Sequence, residues 1–354
     1  MRRILVSVRR MSPVVRTLLT RIGAAAIVMV GVSILIFTVA RIIPGDPARI
    51  ALGPNATAEQ VAALRAARHL DEPIPIQYGY FLRDLSRGDL GRSLYTNRPV
   101  TTDIAQFLPA TLELVLVAGI IMIVAGVPLG IAAAHFRQRA GDHAARLIAL
   151  IGVCTPAFVW GVIFQLVFAF FVPIFPLVGR LSEGLRRPPL VTGFLTLDAL
   201  LAGNFAVVAD AAHHLALPAF ALAMSGIGQT ARLTRANMIE TYDKPYIEMA
   251  RAAGFPPWRI ATRYAFRPAF IPTLTILGLD FAALLGNAFL VERVFVWPGI
   301  SRYGVEVILR KDLDAIVGTV LIIAAAFLIV NIVVDLLVAL INPRIRLAAT
   351  RSGR

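Results

Sequence analysis

Apolar residues run through this chain in long blocks, and charged residues collect between them. Six blocks stand out, at 22–40, 111–134, 147–172, 215–231, 270–291 and 315–341. A helix that crosses a bilayer needs about 20 consecutive, mostly apolar residues, and most of the blocks reach that length. The pattern therefore predicts an all-α integral membrane protein with six transmembrane helices. The fourth block is the shortest and the most interrupted, by Pro218, Gly226 and Gly228. In the first block the only small-residue cluster, Ala24–Ala26, precedes the apolar core, so the block reads as a retained span and not as a cleavable signal peptide.

The segments between the blocks carry their own patterns. After the first block, Thr57 and Gln60 are spaced as a capping box, and Val61, Leu64 and Leu70 follow at near-helical intervals. Ile76, Tyr80, Phe81 and Leu85 predict a second short helix, closed by Gly88-Asp89-Leu90-Gly91. Residues 173–212 are rich in Pro and Gly and predict an extended or partly helical insertion. In 292–314, Trp297-Pro298-Gly299 precedes an amphipathic stretch that runs to Leu309.

The stretch at 243–257 differs from everything around it. Asp243 and Pro245 make a helix start; Gly254, with Pro256 and Pro257 beyond it, makes a stop. The helix between has about nine residues, shorter than the ~12–15 that stand alone in water, so it must lean on something. Tyr246, Met249, Ala250 and Ala253 share one face by i, i+3, i+4, i+7 spacing, with Glu248 and Arg251 opposite. Spacing alone allows that face to pack on the chain's own membrane domain or to enter a partner's groove.

Composition agrees with the pattern. Of 354 residues, 58% are hydrophobic and 16% charged, against about a quarter charged in soluble domains; the mean hydropathy is +0.75. The net charge of +14 would suggest nucleic acid in a soluble protein, but its distribution follows the blocks. Residues 1–21, 135–146, 232–268 and 344–354 hold 20 Lys and Arg in about 81 positions, with four acids. The alternate loops hold 15 in about 133, with 14 acids. The positive-inside rule places both termini and the 232–268 loop in the cytoplasm, which leaves no role for nucleic acid. The single Cys154 excludes an intrachain disulfide and reads as apolar packing.

Polar residues inside the blocks are costly there and need a reason. Asp280 lies near the middle of the fifth block, with Asn287 seven residues on. They are candidate pathway residues; packing between subunits and ion coupling are the other readings of Asp280. Asn331 and Asp335 sit one turn apart in the sixth and are expected to hydrogen-bond between helices. Glu113, at the outer edge of the second, is expected to be partly wet. His213-His214 lack a second ligand cluster and read as interfacial, not as a metal site.

Several of these stretches together resemble one family. Glu248-Met249-Ala250 followed by Gly254 is similar to the "EAA…G" loop of permease subunits of bacterial ABC importers. Ile43-Pro44-Gly45-Asp46-Pro47, Leu70-Asp71-Glu72-Pro73 with Gln77-Tyr78, and Gly88-Asp89-Leu90-Gly91 with Ser93 resemble the first outer loop of the B-type permeases of dipeptide, oligopeptide and nickel importers. Leu108 to Leu114, His214 to Ala219, Arg232 with Arg235, Trp297-Pro298-Gly299, Asp335-Leu336-Leu337 and Asn342 to Arg346 extend the likeness over nearly the whole chain. Met249 replaces the first Ala of the loop pattern. Tyr264-Ala265-Phe266-Arg267 stands where the wider ABC pattern has Ile-x-Leu-Pro, and the 180–212 segment is longer than in short members.

The resemblance implies an ABC importer type I permease fold with a large periplasmic loop after the first helix. It implies a cytoplasmic segment 1–21, a first helix 22–42, the periplasmic loop 43–107, a type-1 transmembrane domain 108–341 with its coupling loop near 240–258, and a cytoplasmic tail 342–354. It implies half of a translocation pathway in the bacterial inner membrane for peptides or a related small solute, not an enzyme. A second related permease, two cytoplasmic ATPases and a periplasmic or lipid-anchored substrate-binding protein would be the partners, alongside membrane lipid. ATP and Mg would bind the ATPases, since this chain has no G-x-x-x-x-G-K-[ST] phosphate loop. Tyr246, Glu248, Met249, Ala250, Ala253 and Gly254 would then form the ATPase-docking coupling helix. An ion-coupled secondary transporter is the alternative; it calls for paired intramembrane carboxylates and inverted repeats.

Overall fold

A computed structural model describes residues 13–42, 46–53 and 55–341. Ile43 to Gly45 of the first resemblance motif, residues 1–12 of the amino-terminal segment and the tail from Asn342 lie outside the described residues. Among the described residues there is no strand, only an isolated bridge between Arg92 and Pro99.

Five long apolar helices cross the bundle: α1 (Pro13–Ile42), α5 (Val100–His135), α9 (Phe205–Tyr242), α11 (Phe266–Val294) and α13 (Leu313–Ile341). The remaining span is a bent pair, α6 (Ala140–Cys154) and α7 (Ala157–Gln165), the latter running on as a π-helix over Leu166–Phe171. The two halves meet at 103°. Pro156 lacks an N–H and disfavours helical backbone before it, and Thr155 is accordingly extended.

The pair still makes one crossing, because its contacts advance steadily along α9. Asp142 meets Arg235 at 2.6 Å, Gly152 lies under Met224, Gly161 lies beside Ala221, and His213 Nε2 donates to the Ile174 carbonyl at 2.6 Å. From Arg235 to His213 a helix rises about 33 Å, close to the ~30 Å of a hydrocarbon core. Among the described residues the spans therefore number six.

The interrupted block proved to be the third, not the fourth. α9, which carries the fourth block, is unbroken and sits at the centre, packed on α5, α6, α7 and α11. Its glycines are contact points, as are those facing it: a Cβ on Gly226 would come within 2.4 Å of Met122, and one on Gly228 within 2.4 Å of the Ala149 carbonyl. A Cβ on Gly126 or Gly130 of α5 would come within 2.7 Å of Thr230 or 2.6 Å of the Ala231 carbonyl; small residues let membrane helices approach this closely. Pro218 is accommodated inside the helix. Cys154, expected in the core, is exposed at the α6–α7 break.

The first outer loop folds as α2 (Pro47–Leu52), α3 (Ala58–Ala67) and α4 (Ile74–Ser86). The Thr57–Gln60 capping box forms in both directions. This small cap is pinned to the bundle: Phe37 of α1 packs on Phe81 with ring centres 5.2 Å apart, and Arg68 pairs with Asp314 of α13 at 2.7 Å. In the second outer loop, α8 (Leu195–Leu201) follows a segment without regular structure. Glu113 is buried there, not wet: Arg180 pairs with it, and Thr196 donates a backbone N–H at 2.9 Å. α12 (Ile300–Leu309) fills the last outer loop. Trp297 is buried and donates to the Ala110 carbonyl at 2.9 Å, while Glu292 accepts from Thr111 at 2.5 Å.

Candidate functional site

The charged stretch between the fourth and fifth spans folds as α10 (Pro245–Ala252). Pro245 fixes the first helical φ, and Gly254 ends the helix with φ 75°, a left-handed conformation that glycine adopts without strain. The Gly254 and Phe255 N–H groups close the end on the Arg251 and Ala250 carbonyls at 3.0 and 3.2 Å.

Eight residues cannot hold a helix by themselves, and Ile247 supplies the anchor. It is 0% exposed, and with Ala250 it packs into a cluster of Ala134 from α5, Met238 from α9, Ile260, Ala261 and Ala265 from a π-helix over Ile260–Ala265, and Ala269 from α11. Burying one such side chain contributes about 1.5–3 kcal/mol. The expected face therefore divides. Ala250 turns inward with Ile247, which the spacing argument had left out, while Tyr246, Met249, Ala253 and Gly254 turn outward. Met249 is 72% exposed. Glu248, Arg251 and Ala252 are exposed beside it. Trp258, also overlooked, adds a second large apolar group, 68% exposed. Phe255 stacks on Tyr264 with ring centres 5.4 Å apart, and Arg259 lies 5.1 Å over Phe255. The loop thus has one face cemented to the bundle and an open opposite face that presents Tyr246, Met249 and Trp258 among the charged Glu248 and Arg251.

Asp280 is half-buried on α11, and its Oδ2 is enclosed with no hydrogen-bond partner among the described residues. The charge that acts on it is Arg232 of α9. Asn237 donates to Thr273 at 3.0 Å, which ties the two helices together beside them. Asn287 is exposed, with Ala283, Gly286 and Leu290. These residues lie on a side of α11 that the described residues leave uncovered.

The other in-span polar groups resolve differently. Asn331 donates to the Phe327 carbonyl of its own helix at 2.9 Å instead of reaching a neighbour. Asp335 does reach across, pairing with Arg21 of α1 at 3.0 Å. His213 and His214 bond backbone carbonyls, and no group of three metal-ligating side chains occurs among the described residues.

Comparison with known proteins places the chain among relatives of matching length. Residues 126–347 match the family described as binding-protein-dependent transport system inner membrane component, and residues 14–115 match its amino-terminal counterpart. The chain is 42% identical to the probable D,D-dipeptide transport system permease protein DdpB of Escherichia coli K12, over 92% of this chain and 96% of that one. It is 37% identical to the dipeptide transport system permease protein DppB of Alkalihalophilus pseudofirmus, over 90% and 96%. It is also 37% identical to the di/tripeptide transport system permease protein DppB of Pseudomonas aeruginosa, over 92% and 97%.

Proposed function

Because the chain belongs to the family of binding-protein-dependent transport system inner membrane components, we propose that it forms half of an ATP-driven import pathway for di- or oligopeptides. The family, the six-span all-α fold and the absence of strands among the described residues stand together as an ABC importer permease of the type I fold. The peptide cargo rests on the names of the relatives, and cargo selection falls largely to a separate binding protein. Family membership displaces the ion-coupled alternative.

The observation that carries the mechanism is α10. Its Ile247–Ala250 face is locked to α5, α9 and α11, while Met249, Tyr246 and Trp258 stand open. That is the form of a rigid lever with an exposed apolar grip, suited to a groove on a cytoplasmic ATPase. Two ATPase subunits binding ATP and Mg, a second related permease and an outer binding protein complete the proposed assembly. Both ends of the chain and α10 face the cytoplasm, supported by the basic excess on that side. The transmembrane unit spans about 108–341, and its helix α5 starts earlier, at Val100. Nucleotide binding shifts the pathway only if the α10 contacts differ between the inward- and outward-open states.

The test is uptake of labelled dipeptide by cells that carry this chain as their only such permease, with the ATPases co-purified on it. Uptake that depends on external binding protein and on ATP supports the reading. Transport that survives removal of the ATPases overturns it.

A further inference from the structure

A cavity of about 250 Å³ opens between α5, α6 and α9, at the end of the bundle that carries α10. No residue of α10 lines it, nor does Asp280. Its walls are apolar, with Ala145, Ala149 and Val153 of α6 along one side. Three arginines stand at it: Arg146 of α6, and Arg232 and Arg235 of α9.

The charges there do not balance. Asp142 is the carboxylate of the cluster, and Arg235 engages both of its oxygens, at 2.6 and 2.8 Å. Arg146 reaches the same carboxylate only at 3.5 Å and donates to the His143 ring at 2.7 Å. Arg232 donates to the neutral Gln229 amide at 2.6 Å. Arg146 and Arg232 are both exposed. They stand where the lipid-facing apolar run of α6 begins, since Leu147, Ile148, Leu150 and Ile151 just beyond are exposed aliphatics.

Spare guanidinium donors above a narrow aliphatic slot match one chemistry: an anionic headgroup joined to a hydrocarbon chain. Guanidinium forks bind phosphate oxygens bidentately, and basic pockets between membrane helices take anionic lipid headgroups. A free phosphate would use the arginines but leave the slot bare. A neutral lipid would fill the slot but leave the positive charge uncompensated. We infer that this cavity is a binding site for an anionic phospholipid, with its phosphate on Arg146 and Arg232 and an acyl chain along Ala145, Ala149 and Val153. The inference requires the spanning fold and is independent of the cargo.

The experiment uses the intact complex purified in mild detergent, exchanged with equal amounts of phosphatidylglycerol and phosphatidylcholine, and read by native mass spectrometry. Wild type retains phosphatidylglycerol. At about 1 kcal/mol per basic residue near a membrane surface, the double variant Arg146→Gln/Arg232→Gln loses about thirtyfold of that preference. The Arg146→Lys/Arg232→Lys variant keeps most of it, which separates lost charge from lost structure. Val153→Trp fills the slot with the arginines intact and lowers retention as well. Inorganic phosphate at millimolar concentration does not displace the lipid. Equal retention of both lipids by wild type, or unchanged preference in the Gln variant, overturns the inference. Displacement by inorganic phosphate overturns it too, in favour of a solvent anion. A slot closed by a second protein chain gives wild type without either lipid, the remaining refuting outcome.

Discussion

Met249→Glu isolates the docking role of α10 from its structural role. Met249 is 72% exposed on this chain, so the substitution removes almost no contact within the subunit, and its effect on folding is expected to stay within about 0.5 kcal/mol. If the side chain enters an apolar groove, the groove buries most of that exposed surface. Full burial of a methionine is worth about 1.5–3 kcal/mol, so truncation by Met249→Ala should cost about 1–2 kcal/mol, or about five- to thirtyfold in ATPase affinity. A carboxylate in the same place adds the penalty of burying a charge and should abolish stable association. Met249→Leu keeps volume and polarity and should be close to neutral. The assay is co-purification of the ATPases with the tagged permease, followed by binding-protein-stimulated ATP hydrolysis and uptake in proteoliposomes. A Met249→Glu complex that assembles and imports like wild type refutes the reasoning: it would mean that the exposed face of α10 touches nothing.

Gly254 has φ 75°, so Gly254→Val forces a branched side chain into a strained region at about 1–3 kcal/mol; hydrogen exchange should show α10 fraying while the spans remain protected. Asp280→Asn keeps shape and removes charge, and should change the import rate severalfold with unchanged subunit stoichiometry; loss of the assembled complex would favour a packing role. Burial pushes Asp198 upward, but the Thr192 hydroxyl and the backbone N–H groups of Thr192, Gly193 and Val191 overcome it and hold the carboxyl below its ordinary 3.8. A depressed carboxylate stabilises fully above its unfolded pKa and loses that contribution as pH falls through the folded value. Limited proteolysis of the 180–203 segment should therefore accelerate in acid below about pH 4, and Asp198→Asn should show the acid-like rate at neutral pH.

The apolar blocks were legible because a bilayer imposes a length and a composition that no other context requires. The Thr57–Gln60 cap, the 74–86 helix and the Gly254 stop were legible because each is a local rule of backbone chemistry. What a single sequence conceals is which side of a short helix meets the rest of the chain. Both faces of α10 offered apolar residues, and 3.6 periodicity assigned Met249 and Ala250 to one of them. Ile247 settles the question, being the most hydrophobic residue of the helix and fully buried. The third and fourth blocks were ranked wrongly for a related reason. Gly and Pro interrupt helices in water, but in a helix bundle Gly226 and Gly228 mark close approach, and only Thr155-Pro156 breaks its span. Glu113 was misplaced because its partners, Arg180 and Thr196, come from a distant loop.

The geometry also links the two parts of the candidate site. The inward face of α10 rests on Met238 of α9 and Ala269 of α11. Arg232 lies six residues along α9 from Met238, a rise of about 9 Å, and Asp280 lies eleven residues along α11 from Ala269, about 16 Å. The Asn237–Thr273 bond at 3.0 Å bridges the same two helices between these points. A displacement applied to the exposed face of α10 has no loose segment to absorb it: Ile247 transmits it to both helices at once, and packed interiors move as units instead of compressing. On α9 such a movement meets the Arg235–Asp142 ion pair first, at 2.6 Å, then Arg232; on α11 it reaches Asp280. Shortening Ile247 to Ala opens a gap at the joint, costs about 2–5 kcal/mol of local packing, and should leave the ATPases bound while import falls. If Ile247→Ala imports like wild type with a complete complex, the joint is not the route by which force reaches Asp280.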